Sequence, residues 1–438
     1  MSRQKLSDIL PTLAFGTATF SQQFNADPYA LGPNDIVAKA LESGIRAFDT
    51  SPYYGPAETI LGNALHSPLI RSSPILRHLG RSDYFILTKC GRIRGDEFDY
   101  SDSWVRFSVK RSCRRLRTTY LDVVYLHDIE FVSPQQVVSA IRTLRALRDE
   151  GLISVQNQKA LGVLRRVIDA GVDVVTNSSP LGMGLCRSAG VPLGETDGAW
   201  HPAPDALKSK CKEAADWIEE EHKEKLEDIA LRWAMESWLT NGAEAGTRGP
   251  SPEEATAVLE QRAKAADEGG RDVVSTHGEQ APQRQRVGMF VMGVSKVSEL
   301  EHTMAIHRSI ITAQDKPQDS RREHIEQATR HIREHILGPK WTDFSWDSPD
   351  PGFTNTRKTF GVSELEQAEE DADAEIAAAM NDMMGVRQDP SSSSGSDIEP
   401  GTIVVTEEDL VCPVTGMKGK MPSGHSAKSS SIEVKELS

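Results

Sequence analysis

The chain has 438 residues, with 64 acidic against 50 basic side chains and a formal net charge of −14. That balance offers no basic field to collect phosphates, so nucleic acid is not expected as a partner. No apolar run approaches the roughly 20 residues of a membrane span, and the amino-terminal MSRQKLSDIL has no long apolar core. Five cysteines without paired or metal-like spacing fit a reducing compartment, so a soluble cytoplasmic protein is expected. The length suits one barrel-sized domain of roughly 250 residues with additions.

In chain order, Leu10 to Phe20 reads as a strand with Gly16 at a place of close approach, and a helix through Ile36 and Leu41 stops at Gly44. The short apolar run Arg46-Ala47-Phe48 then delivers Asp49, followed by Thr50-Ser51-Pro52-Tyr53-Tyr54-Gly55. A helix over Glu58 to Leu65 precedes a polar linker, 66–82, containing Pro68 and Pro74. Tyr84 to Thr88 is a strand closed by Lys89, and Ser103 to Leu116 has helical spacing with its arginines on a solvated face. Strand Leu121 to Leu126 gives His127, with Asp128 facing solvent or substrate, and a helix from Pro134 ends at Gly151. Asp49, Tyr54, Lys89 and His127 thus each follow a strand and precede a helix. In α/β folds such strand ends share one rim, where the chemistry is kept.

These residues resemble the aldo-keto reductase superfamily, whose tetrad is Asp, Tyr, Lys and His and whose Asp-Thr-x-x-x-Tyr-Gly pattern Asp49 and Tyr54 match. FDTSPYY at 48–54 and NSSPLGMGL at 177–185 are similar to its D-arabinose and L-galactose dehydrogenase branch. The resemblance runs from about Leu10 to Gly352 and implies a (β/α)8 TIM barrel, with a domain at 8–352. It also implies that Tyr54 exchanges the proton at the substrate oxygen, that Lys89 lowers the Tyr54 pKa and pairs with Asp49, and that His127 orients the carbonyl or hydroxyl. Gly16 becomes a cofactor or substrate contact.

After Gly151 the expected alternation breaks. Gly151-Leu152-Ile153 runs directly into Ser154-Val155-Gln156-Asn157 and a helix over Leu161 to Ala170, so the barrel lacks the β5-α5-β6 region and some 40 to 50 residues by family standards. Of the family's carboxamide-holding segment, Gln156-Asn157 is the remnant, and Asn157 is assigned to the cofactor. Strand Val172 to Thr176 leads to Ser179, Pro180, Leu181, Gly182 and Gly184, whose small residues and amides suit a pyrophosphate. Trp200-His201-Pro202 reads as a packing and turn feature, and Leu207 to Leu239 as helical.

The stretch 242–286 is poor in bulky apolar residues and is expected as a low-complexity surface insertion. Val287 to Val294 is the last strand, followed by Ser295, Lys296 and Glu299 as cofactor contacts. Val294 and Leu300 stand where NADP-dependent relatives carry Lys and Arg, which favours NAD, with NADP still possible. His331 and His335 are four apart but lack a third ligand, so no metal is expected. Trp341, Phe344 and Trp346 are candidates to line the sugar pocket. The acidic and serine-rich segment 361–438 is expected to be a disordered tail. The favoured expectation is a monomeric NAD-dependent aldose 1-dehydrogenase acting on a small sugar. An NADPH-dependent carbonyl reductase, or a catalytically impaired barrel from an incomplete coding sequence, are the alternatives.

Overall fold

The computed structural model describes residues 5–158, 172–191, 201–267, 284–313, 320–342, 344 and 348–372. Seven strands form one parallel sheet: β1 Leu13–Gly16, β2 Ala47–Asp49, β3 Phe85–Cys90, β4 Leu121–Leu126, β5 Ile153–Gln158, β6 Thr176–Asn177 and β7 Met289–Gly293. Their order is β5-β4-β3-β2-β1-β7-β6, and among the described residues a helix separates each pair of successive strands except β5 and β6. Among the described residues β5 and β6 are the two ends of this order, so the curled sheet is open and has seven strands, not eight. The expected loss of a strand–helix–strand segment implies two absent strands, whereas one is absent among the described residues. The run after Gly151 nevertheless occupies the place beside β4, pairing Val123 with Val155 and Tyr125 with Asn157. The helix expected over Leu161 to Ala170 lies outside the described residues.

Every residue of β3 and β4 is buried, because both faces of the sheet are covered. The inner face carries Ala14, Ala47, Phe85, Leu87, Val123, Tyr125, Met289 and Val291, closed below by Leu6 and Leu10. The outer face carries Phe15, Phe48, Ile86, Val124 and Phe290 against helical Ile36, Leu41, Leu61, Val109 and Leu144. The period of two along each strand carries this inward set on to its end. Asp49, Lys89 and His127 each stand two residues beyond an inward side chain, so they emerge on the inner side at the carboxyl ends of β2, β3 and β4.

Four expectations are corrected. The 66–82 linker contains a helix, Pro68–Ser72, and buries Ile70 and Leu76. The 242–286 stretch is not an insertion throughout: Pro252–Asp267 is a helix with Ala255 and Leu259 buried four apart. Its glycines serve close packing, since a Cβ on Gly246 would lie 1.9 Å from the Val287 carbonyl oxygen and one on Gly249 2.1 Å from that of Leu10. Only 268–283 of that stretch falls outside the described residues. The strand expected at Val172 to Thr176 is Thr176–Asn177, with Val172 and Val174 buried ahead of it.

The fourth correction concerns the carboxyl-terminal segment. Residues 351–372 fold back over the loop after β3 and the helix Asp102–Arg115, and 364–372 are helical. Arg357 pairs with Glu97 at 2.9 Å and with Glu366 at 2.7 Å, while Asn355 Oδ1 accepts from the Phe98 amide. Arg114 meets the buried Glu370 at 2.6 Å, and Arg115 lies 3.8 Å from the buried Glu58. These arginines therefore grip carboxylates instead of forming only a solvated face. The expected tail begins its described course as a strap, and 373–438 lies outside the described residues. Among the described residues, no helix is long and apolar enough to cross a membrane.

Candidate active site

The four expected residues come together. Lys89 Nζ donates to Asp49 Oδ1 at 2.6 Å and to the Thr50 carbonyl at 2.9 Å. It stands 4.8 Å from the centre of the Tyr54 ring. The Lys89 and Asp49 side chains are 6% and 13% exposed, so the pair is nearly dry. Burial opposes the Lys89 charge, but the Asp49 carboxylate and the Tyr54 phenol outweigh it and hold the ammonium above the ordinary lysine range.

Tyr54 is delivered by a single turn, Pro52–Tyr54, capped by Ser51, whose Oγ accepts from the Tyr53 amide at 3.1 Å. His127 packs edge-on against both tyrosines, with ring centres 5.6 Å from Tyr53 and 5.8 Å from Tyr54. Its Nδ1 is 3.0 Å from Ser51 Oγ, its amide donates to the Cys90 carbonyl, and its carbonyl accepts from the Tyr100 hydroxyl. Asp128 is not solvent-facing: it is buried in the left-handed region at φ 57°, bound by Arg92 at 2.5 Å and 3.6 Å from His127 Nε2. The Arg92 guanidinium lies 4.1 Å from the Tyr53 ring centre. Ser51 and Arg92 were not singled out from the sequence. Ser51 lies within the FDTSPYY run, whereas the Arg92 signal exists only in three dimensions.

The residues assigned to a dinucleotide are less uniformly placed. Gly16 packs against β7, where a Cβ would lie 3.1 Å from Val291 Cγ1. Asn157 is in β5, opposite Tyr125. In the loop after β6, Ser179, Gly182 and Gly184 take positive φ, but the Gly182 and Gly184 amides are spent on the Ser179 and Leu181 carbonyls. Pro180 is buried and Leu181 half-buried in the same loop. His201 Nε2 lies 3.0 Å from the Gly182 carbonyl, consistent with the turn reading. Lys296 is exposed; Glu299 accepts from the Ser295 amide at 2.8 Å, and Ser295 Oγ accepts from Asn25. Val294 and Leu300 are buried, at 4% and 0%.

Three polar atoms at strand ends nevertheless fit an incoming polar cofactor. Thr17 Oγ1 after β1, Thr50 Oγ1 after β2 and Asn177 Oδ1 closing β6 are buried with no hydrogen-bond partner among the described residues. Buried polar atoms are seldom left so. Elsewhere, Trp341 packs with Leu185, Ala203 and Leu207, and Phe344 lies against it, which makes them satellite core and not pocket lining; Trp346 lies outside the described residues. His331 stacks on Trp217 at 4.1 Å, and no group of three His, Cys, Asp or Glu among the described residues is placed to hold a metal ion.

A parallel sheet gathers a buried lysine–carboxylate pair, a phenol and an imidazole on its carboxyl rim, the arrangement expected of a family of oxidoreductases that act on CH–OH groups. A model of the aldo/keto reductase family matches residues 12–156 and 154–316, and the chain belongs to that family. The two matched segments meet where the strand–helix–strand unit is missing. A D-arabinose 1-dehydrogenase of Saccharomyces cerevisiae is 35% identical over 277 residues, 54% of this chain and 78% of that protein. An L-galactose dehydrogenase of Arabidopsis thaliana is 34% identical over 256 residues, 48% of this chain and 75% of that protein. A glycerol dehydrogenase structure from Gluconobacter oxydans is 16% identical, covering 77% of this chain and 94% of its own, with a TM-score of 0.43.

Proposed function

We propose that the chain is an NAD-dependent aldose 1-dehydrogenase, converting D-arabinose or an L-galactose-like aldose to its aldonolactone. The observation that carries this is the Lys89–Asp49 pair at 2.6 Å beside the Tyr54 ring and His127. The aldose C1 hydroxyl gives its proton to the Tyr54 oxygen as the C1–H bond breaks and C1=O forms. Lys89, kept charged by Asp49, favours the phenolate that accepts that proton. His127 holds the substrate oxygen in line. When bound, a nicotinamide dinucleotide supplies the hydride acceptor; Asn177, Ser179, Leu181 and Lys296 would hold it, with Asn157 near its carboxamide.

Support for NAD over NADP comes from Leu300, buried where a phosphate-gripping arginine is expected. The carboxylates Glu299 and Glu301 contribute little to that preference, since one caps Ser295 and the other pairs with Lys39 at 2.8 Å. Cys90, Cys113 and Cys211 form no disulfide, which supports a cytoplasmic setting. The test is a fluorescence titration with both dinucleotides followed by turnover on D-arabinose, L-galactose and a simple aldehyde with NADPH. Tighter NADP binding overturns the cofactor assignment, and reduction of the aldehyde without sugar oxidation overturns the direction. A second reading, a catalytically weakened barrel, is favoured by the open gap between β5 and β6.

A further inference from the structure

The Ser51 hydroxyl has two contacts, and together they decide a proton. Its oxygen accepts from the Tyr53 amide at 3.1 Å, so its own hydrogen needs an acceptor, and Ser51 is fully buried. The atom placed for it is His127 Nδ1 at 3.0 Å. A ring protonated at Nδ1, alone or with Nε2, would turn that contact donor to donor and strand the serine hydrogen away from water. On the other side of the ring, the Asp128 carboxylate lies 3.6 Å from Nε2, held there by Arg92, and favours an N–H over a lone pair at that position. Tyr53 and Tyr54 meet the imidazole edge-on, ring against ring, and so brace its plane between these two polar contacts.

We propose that Ser51 is a positioning residue that locks His127 in the tautomer with its hydrogen on Nε2, the donor that meets a substrate oxygen. The catalytic weight of this lock rests on the reading of His127 given above, but the tautomer itself does not. Nitrogen-15 imidazole spectra of the full chain, with the His127 signals assigned by their loss in H127Q, test it directly at neutral pH. The expected result is an unprotonated Nδ1 and a protonated Nε2. A protonated Nδ1 overturns the proposal, whatever the enzyme does with sugars.

In S51A both tautomers should appear and kcat should fall roughly five- to tenfold, the scale of one lost hydrogen bond, with KM changed less than about twofold. S51T keeps the hydroxyl and should restore both readouts. Unchanged tautomer and kcat in S51A overturn the role of Ser51. If S51A does not fold, the wild-type spectrum still decides. Absence of turnover on any aldose by the wild type refutes the function reading alone and leaves the spectrum valid.

Discussion

The tetrad side and the cofactor side of this sheet are built differently. From β1 to β4 the strands are flanked on both edges; Asp49 pairs with Lys89, and Ser51, His127, Asp128 and Arg92 are linked through consecutive contacts. The strap adds Phe353, edge-on to Phe98 and Phe131, which stack on each other at 4.6 Å beside Arg92. Across the sheet, β6 pairs through only two residues and β5 and β6 are edges, while Asn177 Oδ1 is unpartnered among the described residues and the loop amides of Gly182 and Gly184 are turned inward. The groups proposed to handle the proton are therefore held in place without barrel closure. The place where a hydride acceptor would rest is the part that closure would complete.

Replacing Tyr54 by Phe breaks the comparison at its stronger side. Positioned proton transfer is worth about 100- to 10,000-fold, so turnover should fall on that scale while dinucleotide affinity stays the same; near-normal turnover in Y54F removes the phenol from this role. The weaker side is tested by addition. A chain with a family-like strand–helix–strand inserted between Ile153 and Gln156 should unfold more cooperatively and oxidise aldoses faster, by on the order of 100-fold if closure corrects a 1 Å misplacement. Equal cooperativity and equal turnover in the two chains would show that the open edges cost nothing.

Lys89→Met leaves the Asp49 carboxylate unpaired in a nearly dry site, so stability measured in urea should drop by about 3–5 kcal/mol. The double variant K89M/D49N should recover part of that loss. The pairing is also proof against ordinary pH change: the Lys89 contribution is complete below 10.5, its value outside the fold, and fades only as pH rises through the higher folded value.

The smallest effect concerns the strap. Burial opposes ionisation of Glu366, but Arg357 and Ser363 overcome it and hold the carboxyl at about 2, against 4.5 ordinarily. Its contribution is thus present above 4.5 and lost as pH falls towards 2. The urea midpoint of E366Q should trail that of the wild type by a constant margin from neutral pH to about 5, and the margin should close below about 4.5. A margin independent of pH down to about 2.5 would show that the ion pair does not hold the strap.

Much of the tetrad side was legible because it rests on local rules. Each strand is a short buried run of period two, and the residue two beyond an inward side chain must point inward, which places Asp49, Lys89 and His127 without any knowledge of the loops. The cofactor side was read less well because its candidates depend on hydrogen bonds made in the fold. Gly182, Gly184 and Glu299 look available in the sequence, yet each is used to shape its own turn or helix start. The 242–286 stretch misled for a related reason. Its glycines signal looseness by composition, but two of them admit backbone contacts that a side chain would forbid.

By itself, the sequence determined the parallel α/β order and the strand that leads to each tetrad member, because periodicity and spacing are properties of neighbours along the chain; the gap after Gly151 was legible only through the family resemblance. Tertiary structure decided that 153–158 would fill the place beside β4, that the strap would close over the Phe98 loop, and that Arg92, Asp128, Ser51 and His127 would meet. Those outcomes depend on which segments, far apart in the chain, can bury their surfaces and satisfy their polar atoms together.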